Sequence, residues 1–166
     1  MAFKQRTEKK VVYTHEQALE ALQHYCAYQD RCHKEAREKL RELGYFGEPA
    51  EEVIVDLIQE KYLDEERFAR SYARGKFKIK RWGRYRIKRE LKQRDISSYC
   101  IRKAMTEIDD DAYLTVLCED LEKRRAVERK AKHPYLLRRK LADYMVGRGF
   151  EAHLVWEMMD ELGIGK

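Results

Sequence analysis

Hydrophobic residues recur every three or four positions along most of this chain, which is the spacing of amphipathic helices. Nine such stretches follow one another, separated by short polar turns. Thr14 and Gln17 have the spacing of a capping box before the first stretch. Asp64, Ser97 and Asp109 stand where N-caps of later helices are expected. The pattern therefore predicts an all-α protein of nine helices.

The predicted helices repeat in threes, with a period of roughly 50 residues. Leu40, Leu91 and Leu141 occupy equivalent positions in three similar segments, each followed by a short turn and an apolar helix. Because each helix offers only a narrow apolar stripe, neighbouring units must complete each other's cores. We therefore predict an elongated array of three tandem three-helix repeats. The predicted boundaries are a polar N-terminal tail at 1–13, repeats at 14–62, 63–108 and 109–162, and a C-terminal tail at 163–166.

Several helix boundaries depend on single residues. Asp30 is the predicted N-cap of the second helix, because its carboxylate can accept from exposed backbone N–H groups. Gly44 and Gly147 are the predicted stops of the second and eighth helices. Gly75 leaves the end of the fourth helix open, since a glycine there either breaks the helix or is tolerated inside it.

Charge is abundant and unevenly distributed. Charged residues make up 40% of the chain, against a usual share of roughly 25%. The segment from Arg67 to Lys103 holds fifteen Lys and Arg against two acids, and Lys123–Lys140 holds nine against one. Glu48–Glu66 is instead acidic, and the net charge is +6. A concentrated positive surface indicates a polyanionic or acidic partner.

We call the candidate contact surface the basic strip. It consists of Lys76, Lys78, Lys80, Arg81, Trp82, Arg84, Arg86, Lys88, Arg89, Arg138, Arg139 and Lys140. Its cations can neutralise phosphates or acidic side chains. Phe77, Trp82 and Tyr85 are open to two interpretations, either packing in the core or stacking on unpaired bases, which is worth roughly 1–3 kcal/mol per base. Reversing Arg81, Arg84 and Arg86 to Glu is expected to abolish binding and to leave helicity intact.

Catalytic, metal and membrane signals are weak. The sequence contains no phosphate-binding loop and no nucleophile or zinc-protease motif, so no catalytic residue and no cofactor are predicted. His24, Cys26, Cys32 and His33 fit no standard zinc spacing, and we predict no metal site. Trp156 is expected in the core. Without a long apolar run or a secretory signal, the expectation is a cytoplasmic protein with reduced cysteines.

Residues 60–105 resemble the RecX family of recombination regulators, and the resemblance extends more weakly over about 15–162. The residues that carry it are Tyr62, Leu63, Asp64, Glu65, Arg67, Phe68, Ala69, Arg86, Ile87, Glu90, Leu91, Ile96, Ala104 and Met105. Arg148-Gly149-Phe150 matches a further family motif. Lys61 and Asp95 depart from it, since the family usually has glycine at both positions. A left-handed backbone at Asp95 would cost more than it would for glycine.

The resemblance implies a fold of tandem three-helix bundles. It also implies a protein that lies along the groove of the RecA–single-stranded-DNA filament and inhibits ATP hydrolysis, strand exchange and co-protease activity, which bears on recombination, repair and the SOS response. We expect the protein to be a monomer. Residues Tyr62, Leu63, Asp64, Arg67, Phe68 and Ala69 of the family motif are expected to be structural, with Asp64 as a helix cap. The alternative function is direct binding of single-stranded nucleic acid without a RecA target.

Overall fold

The computed structural model describes residues 12–128 and 133–165. Within those ranges the chain forms nine α-helices and no strand, so the all-α prediction is confirmed. Most of the predicted N-terminal tail, residues 129–132 of the second basic stretch and Lys166 lie outside the described residues. The helices are α1 (His15–Tyr28), α2 (His33–Glu42), α3 (Glu48–Gln59), α4 (Glu65–Lys78), α5 (Arg84–Gln93), α6 (Ser98–Met105), α7 (Asp110–Val127), α8 (Pro134–Gly147) and α9 (Ala152–Glu161).

Side chains that accept from exposed N–H groups mark the helix starts. Thr14 Oγ1 accepts from the N–H of Gln17 at 3.2 Å, and Gln17 Oε1 accepts from the N–H of Thr14 at 3.0 Å, which confirms the capping box. The prediction that Asp30 caps α2 is wrong. Cys32 is the N-cap, because Glu35 completes a box with it by accepting from the Cys32 N–H at 3.0 Å.

Five helices end in the same way, with a left-handed residue followed by an apolar one. In each, the N–H of the apolar residue donates to the carbonyl five residues earlier at 2.8–3.2 Å, as in a Schellman motif. This geometry satisfies a carbonyl that the helix end leaves without a partner. The five segments are LRELGY (40–45), LIQEKY (57–62), LKQRDI (91–96), MVGRGF (145–150) and MDELGI (159–164).

The helix ends confirm one predicted glycine role and correct another. Gly44 ends α2 as predicted, with φ +75°. The prediction that Gly147 stops α8 is wrong, because Gly147 is its last helical residue and Gly149 has the left-handed φ of +97°. Gly75 does not break α4, which continues to Lys78. A helical glycine destabilises by about 1 kcal/mol relative to alanine, an amount that packing readily offsets.

The chain divides into two compact units, residues 1–68 and 69–166. In the first, α1, α2 and α3 pack on one another as one three-helix bundle. Each helix contributes the narrow apolar stripe that its periodicity predicts. The buried residues of this core are Ala18, Leu22, Cys26, Ala36, Leu40, Ala50, Val53, Ile54, Leu57 and Leu63.

In the second unit, α5 packs on α6, and α7, α8 and α9 pack on one another. Its centre is aromatic: the ring of Tyr113 lies 5.8 Å from that of Phe77 and 4.9 Å from that of Phe150. Phe77 belongs to the second predicted repeat and the other two to the third, so these repeats share a core. Trp156 is not part of it, since 37% of its surface is exposed. No helix in the described ranges is long and apolar enough to cross a membrane.

Candidate partner-binding surface

Arg81 of the basic strip is held inside the second compact unit. It follows α4 with a left-handed φ of +54°. Its Nε donates to Asp120 Oδ1 at 2.8 Å, and its Nη2 donates to Glu119 Oε2 at 2.7 Å. Asp120 is only 8% exposed, and a buried carboxylate needs a charged partner. The hydrogen bond from Arg81 also holds the pKa of Glu119 below its usual value. Arg81 therefore joins α4 to α7.

Arg84 is held just as firmly. Its guanidinium lies 4.0 Å from the ring centroid of Tyr113, and it donates to Asp110. Glu151 Oε1 is a second carboxylate, 3.8 Å from Arg84 Nη1. The Tyr113 hydroxyl donates to Glu151. Burial raises the pKa of Tyr113, and this hydrogen bond raises it further. The Arg84 side chain is 19% exposed, which leaves it little surface for a partner.

Two cations of α8 are also engaged within the chain. Arg138 donates to the carbonyl of Ile164 at 3.1 Å and to Asp160 at 2.8 Å. Lys140 Nζ lies 3.2 Å from Glu128 Oε2, and this hydrogen bond lowers the pKa of Glu128. Because Lys140 remains 58% exposed, its pair is a weak surface interaction. Arg138, at 17% exposure, is structural.

Five cations of the basic strip face outward without an internal counter-ion. Lys78, Lys80, Arg89 and Arg139 are exposed, and Lys88 is half-buried. In the ranges 12–128 and 133–165, none of them makes an ion pair with a carboxylate. These five side chains therefore keep their charge available for a partner. They are Lys78, Lys80, Lys88, Arg89 and Arg139, and we call them the outward cations.

The remaining three members form what we call the Trp82 cluster, which is Lys76, Trp82 and Arg86. The guanidinium carbon of Arg86 lies 4.0 Å from the centroid of the Trp82 ring, and Lys76 Nζ lies 5.0 Å from it. Cations over an indole face are attracted by its quadrupole. The face that Arg86 covers is therefore closed to a nucleobase, although base stacking was one sequence interpretation of Trp82.

The other aromatic residues near the basic strip are either buried or exposed. Phe77 is buried at 5% exposure, so it belongs to the core. Tyr85 is 59% exposed and lies one helical turn before Arg89 on the outer side of α5. Tyr99 on α6 is 53% exposed, with Lys103 Nζ 5.6 Å from its ring centroid. Among the aromatic residues of α4, α5 and α6, these two tyrosines are the exposed ones.

Known proteins resemble this chain in sequence and in the arrangement of their helices. A family model described as the second three-helix domain of RecX matches residues 64–105. The regulatory protein RecX of Prosthecochloris aestuarii is 29% identical over 138 residues, which are 83% of this chain and 88% of that protein. The chain is thus similar to RecX proteins over most of its length.

Two further relatives, both named regulatory protein RecX, are longer than the part that matches. The chain covers 36% of the RecX of Lactobacillus johnsonii at 29% identity, and 51% of that of Bacillus cytotoxicus at 24% identity. The crystal structure of RecX from Lactobacillus salivarius superposes with a TM-score of 0.79 at 23% identity, covering 90% of this chain and 96% of that one. At this identity the likeness establishes the fold, which is that of tandem three-helix repeats.

The RecX motif at residues 62–69 has internal partners. Leu63, Phe68 and Ala69 are buried, at 2%, 5% and 0% exposure. Asp64 Oδ1 accepts from the N–H of Arg67 at 2.8 Å, and the Arg67 side chain donates to Asp30 at 3.1 Å. Arg67 also donates to the carbonyls of two residues that close the preceding turn, Lys61 and Tyr62. The motif thus anchors the start of α4.

Sequence reasoning missed the structural importance of Arg148. Its Nη2 donates to the carbonyls of Lys80 at 2.6 Å and Arg81 at 3.1 Å. Its own carbonyl accepts from the N–H of Gly83 at 2.9 Å, and that of Gly149 accepts from the N–H of Tyr85 at 2.9 Å. The signal was present in the Arg148-Gly149-Phe150 motif. Its partners could not be read from spacing, because they lie more than 60 residues away along the chain.

The residues weighed as zinc ligands are not gathered together. Among the described residues, no three His, Cys, Asp or Glu side chains form a group that could hold a metal ion. Cys26 and Cys32 are buried, and burial raises the pKa of each thiol to about 11. A metal would need the thiolate, which burial disfavours.

Proposed function

We propose that this protein binds the RecA–single-stranded-DNA filament and inhibits its ATP hydrolysis, strand exchange and co-protease activity, and so modulates recombination and repair. Similarity to proteins named as RecX regulatory proteins supports a regulatory role. The outward cations are the observation that carries the binding surface, because such a filament exposes phosphates and acidic side chains. The protein acts as a monomer in the cytoplasm, where such filaments assemble.

The decisive experiment measures DNA-dependent ATP hydrolysis by RecA from the same organism. Adding the full chain at substoichiometric to stoichiometric ratios should suppress hydrolysis progressively. Suppression should weaken as salt is raised, because exposed charges are screened within about 10 Å at 0.1 M salt. Unchanged hydrolysis across the whole range would overturn the proposal.

The structure also changes which variants test the binding surface. Reversing Arg81 and Arg84 would break internal ion pairs, so loss of inhibition would not separate binding from folding. Arg89→Glu is a cleaner test, with Arg41→Glu of α2 as its matched control, since both residues are exposed helical arginines. We expect Arg89→Glu to raise the half-inhibitory concentration about fivefold and Arg41→Glu to change it less than about twofold. Equal effects would place the contact elsewhere.

The alternative function is direct binding of single-stranded nucleic acid. The exposed rings of Tyr85 and of Tyr99, the latter with Lys103 beside it, favour it, since bases stack on such rings. The two functions differ in whether DNA binding requires RecA. Fluorescence anisotropy of a labelled single-stranded oligonucleotide, with and without RecA, separates them. Strong binding without RecA, together with no effect on hydrolysis, would favour the alternative.

A further inference from the structure

The Trp82 cluster differs from the neighbouring arginines in having charge without a counter-ion. Arg81 and Arg84 each lie beside two carboxylates. Within the described parts of the chain, neither Lys76 nor Arg86 makes an ion pair. Two like charges are thus held on one indole ring. Their mutual repulsion would be relieved by an anion placed between or beside them.

Packing, rather than a polar partner, orients Arg86. Its Nε is buried and has no hydrogen-bond acceptor among the described residues. Its backbone is fixed by Gly149, where a Cβ atom would come within 2.4 Å of Arg86 Cβ. The guanidinium lies 4.0 Å from the Trp82 ring centroid. Because the chain pre-orients the group before any partner arrives, little ordering cost remains at binding.

From this geometry we infer that the Trp82 cluster is a binding site for a carboxylate group of an acidic protein segment. The planar guanidinium of Arg86 provides a fork of donors that matches a carboxylate, and Lys76 supplies a second, adjustable charge. The site lies in the basic strip, so the assignment rests on the proposed function in assuming a protein partner. It adds the chemistry that the partner must offer.

A carboxylate is favoured over a nucleic-acid phosphate for two reasons. The indole face under Arg86 is closed, so Trp82 cannot add base stacking to a phosphate contact. Phosphate-driven binding also depends on many simultaneous contacts. In this chain Arg81, Arg84 and Arg138 are already committed to internal ion pairs. One well-oriented guanidinium group suits a single acidic side chain better than the extended phosphate backbone of a nucleic acid.

The chain has two tryptophans, so Trp156→Phe leaves Trp82 as its only indole reporter. The full chain with this change is titrated with a hexaglutamate peptide, and in a separate arm with a six-nucleotide single-stranded oligothymidylate. We expect saturable change of Trp82 fluorescence with hexaglutamate. Arg86→Gln should weaken it about tenfold and Arg86→Lys by less, because lysine keeps the charge and loses the fork.

Arg89→Gln is the matched control, since it removes the same charge from the same helix without touching the Trp82 ring. It should change hexaglutamate binding less than about twofold. Equal losses for Arg86→Gln and Arg89→Gln would overturn the site in favour of diffuse attraction, and an absent fluorescence change would overturn it outright. Tighter, Arg86-dependent binding of the oligothymidylate would reassign the site to phosphate.

The peptide arm needs no RecA, so it remains informative if the proposed function fails. Hexaglutamate binding with no inhibition of RecA would keep the carboxylate site and discard RecA as its partner. Where inhibition is observed, Arg86→Gln should raise the half-inhibitory concentration about tenfold, against less than about twofold for Arg41→Gln, which lies outside the basic strip. Circular dichroism of both variants should match the parent, and a loss of helicity in Arg86→Gln makes Arg86→Lys the deciding variant.

Discussion

At the scale of single residues, left-handed positions determine where several of the helices end. Lys61 and Asp95 have φ values of +64° and +59°, at the two positions where the RecX family usually has glycine. This backbone conformation costs more at Asp95 than it would at glycine. In both turns a hydrogen bond offsets the cost, because the next residue donates its N–H to a carbonyl five residues earlier. These hydrogen bonds from Tyr62 and Ile96 close the C-terminal ends of α3 and α5.

Replacing Lys61 with glycine should therefore stabilise the protein. A left-handed backbone costs roughly 1–2 kcal/mol for a residue with a Cβ atom, and the greater chain entropy of glycine offsets part of the gain. We expect Lys61→Gly to raise the free energy of unfolding by up to about 1 kcal/mol, measured by urea denaturation. Asp95→Gly should gain less, because aspartate tolerates this conformation better. The reverse order would contradict the explanation.

At the scale of elements, the second and third predicted repeats meet through backbone rather than side chains alone. A Cβ atom at Gly83 would lie 2.1 Å from the carbonyl carbon of Gly149. The N–H groups of Gly83 and Tyr85 donate across this contact, to the carbonyls of Arg148 and Gly149. The approach positions the start of α5, and with it Arg86 of the Trp82 cluster.

Gly149→Ala should be the most damaging small substitution in this region. Its added methyl group meets Arg86 at 2.4 Å, and its φ of +97° is strained for any residue but glycine. We expect the free energy of unfolding to fall by more than about 2 kcal/mol. Gly147→Ala is the matched control, because it lies in α8 with nothing within 4 Å and should stabilise by about 0.5 kcal/mol. Similar urea midpoints for both would refute the close contact.

At the scale of the whole molecule, ion pairs make stability depend on pH. Hydrogen bonds from Arg37 and Arg70 lower the pKa values of Glu51 and Glu107 below 4.5. Burial lowers the pKa of His33 below 6.5. In all three cases the unfolded chain binds protons more readily than the folded one. The stability that these groups contribute is therefore present at neutral pH and is lost as the pH falls through the folded pKa values.

The urea midpoint should consequently be level between about pH 7 and 8, and should fall most steeply below about pH 4.5. Glu107→Gln should flatten the acid limb, because it removes one carboxylate that binds a proton on unfolding. Arg89→Gln, whose side chain makes no ion pair in the described ranges, should shift the midpoint little and keep the slope. A midpoint that rises on acidification would contradict the assignment of these pairs.

The sequence by itself determined the elements and their order. Helical periodicity, the capping box at Thr14, the caps at Ser97 and Asp109, and the repeated Leu40, Leu91 and Leu141 are local signals, and local signals act within one or two turns. The errors were local as well. Asp30 was predicted as the N-cap of α2, but Cys32 holds that position, because the side chain of Glu35 accepts from the Cys32 backbone N–H.

Only the tertiary structure decided what the charges do. Fifteen basic residues between Arg67 and Lys103 look equivalent as a string. Arg81 and Arg84 are nevertheless bound to carboxylates of α7 and its flanks, while Lys78 and Arg89 face outward. Those partners lie 26 to 39 residues away along the chain, and no periodicity encodes such pairs. Charge is a property of composition, but its availability to a partner depends on which opposite charge the fold brings within reach.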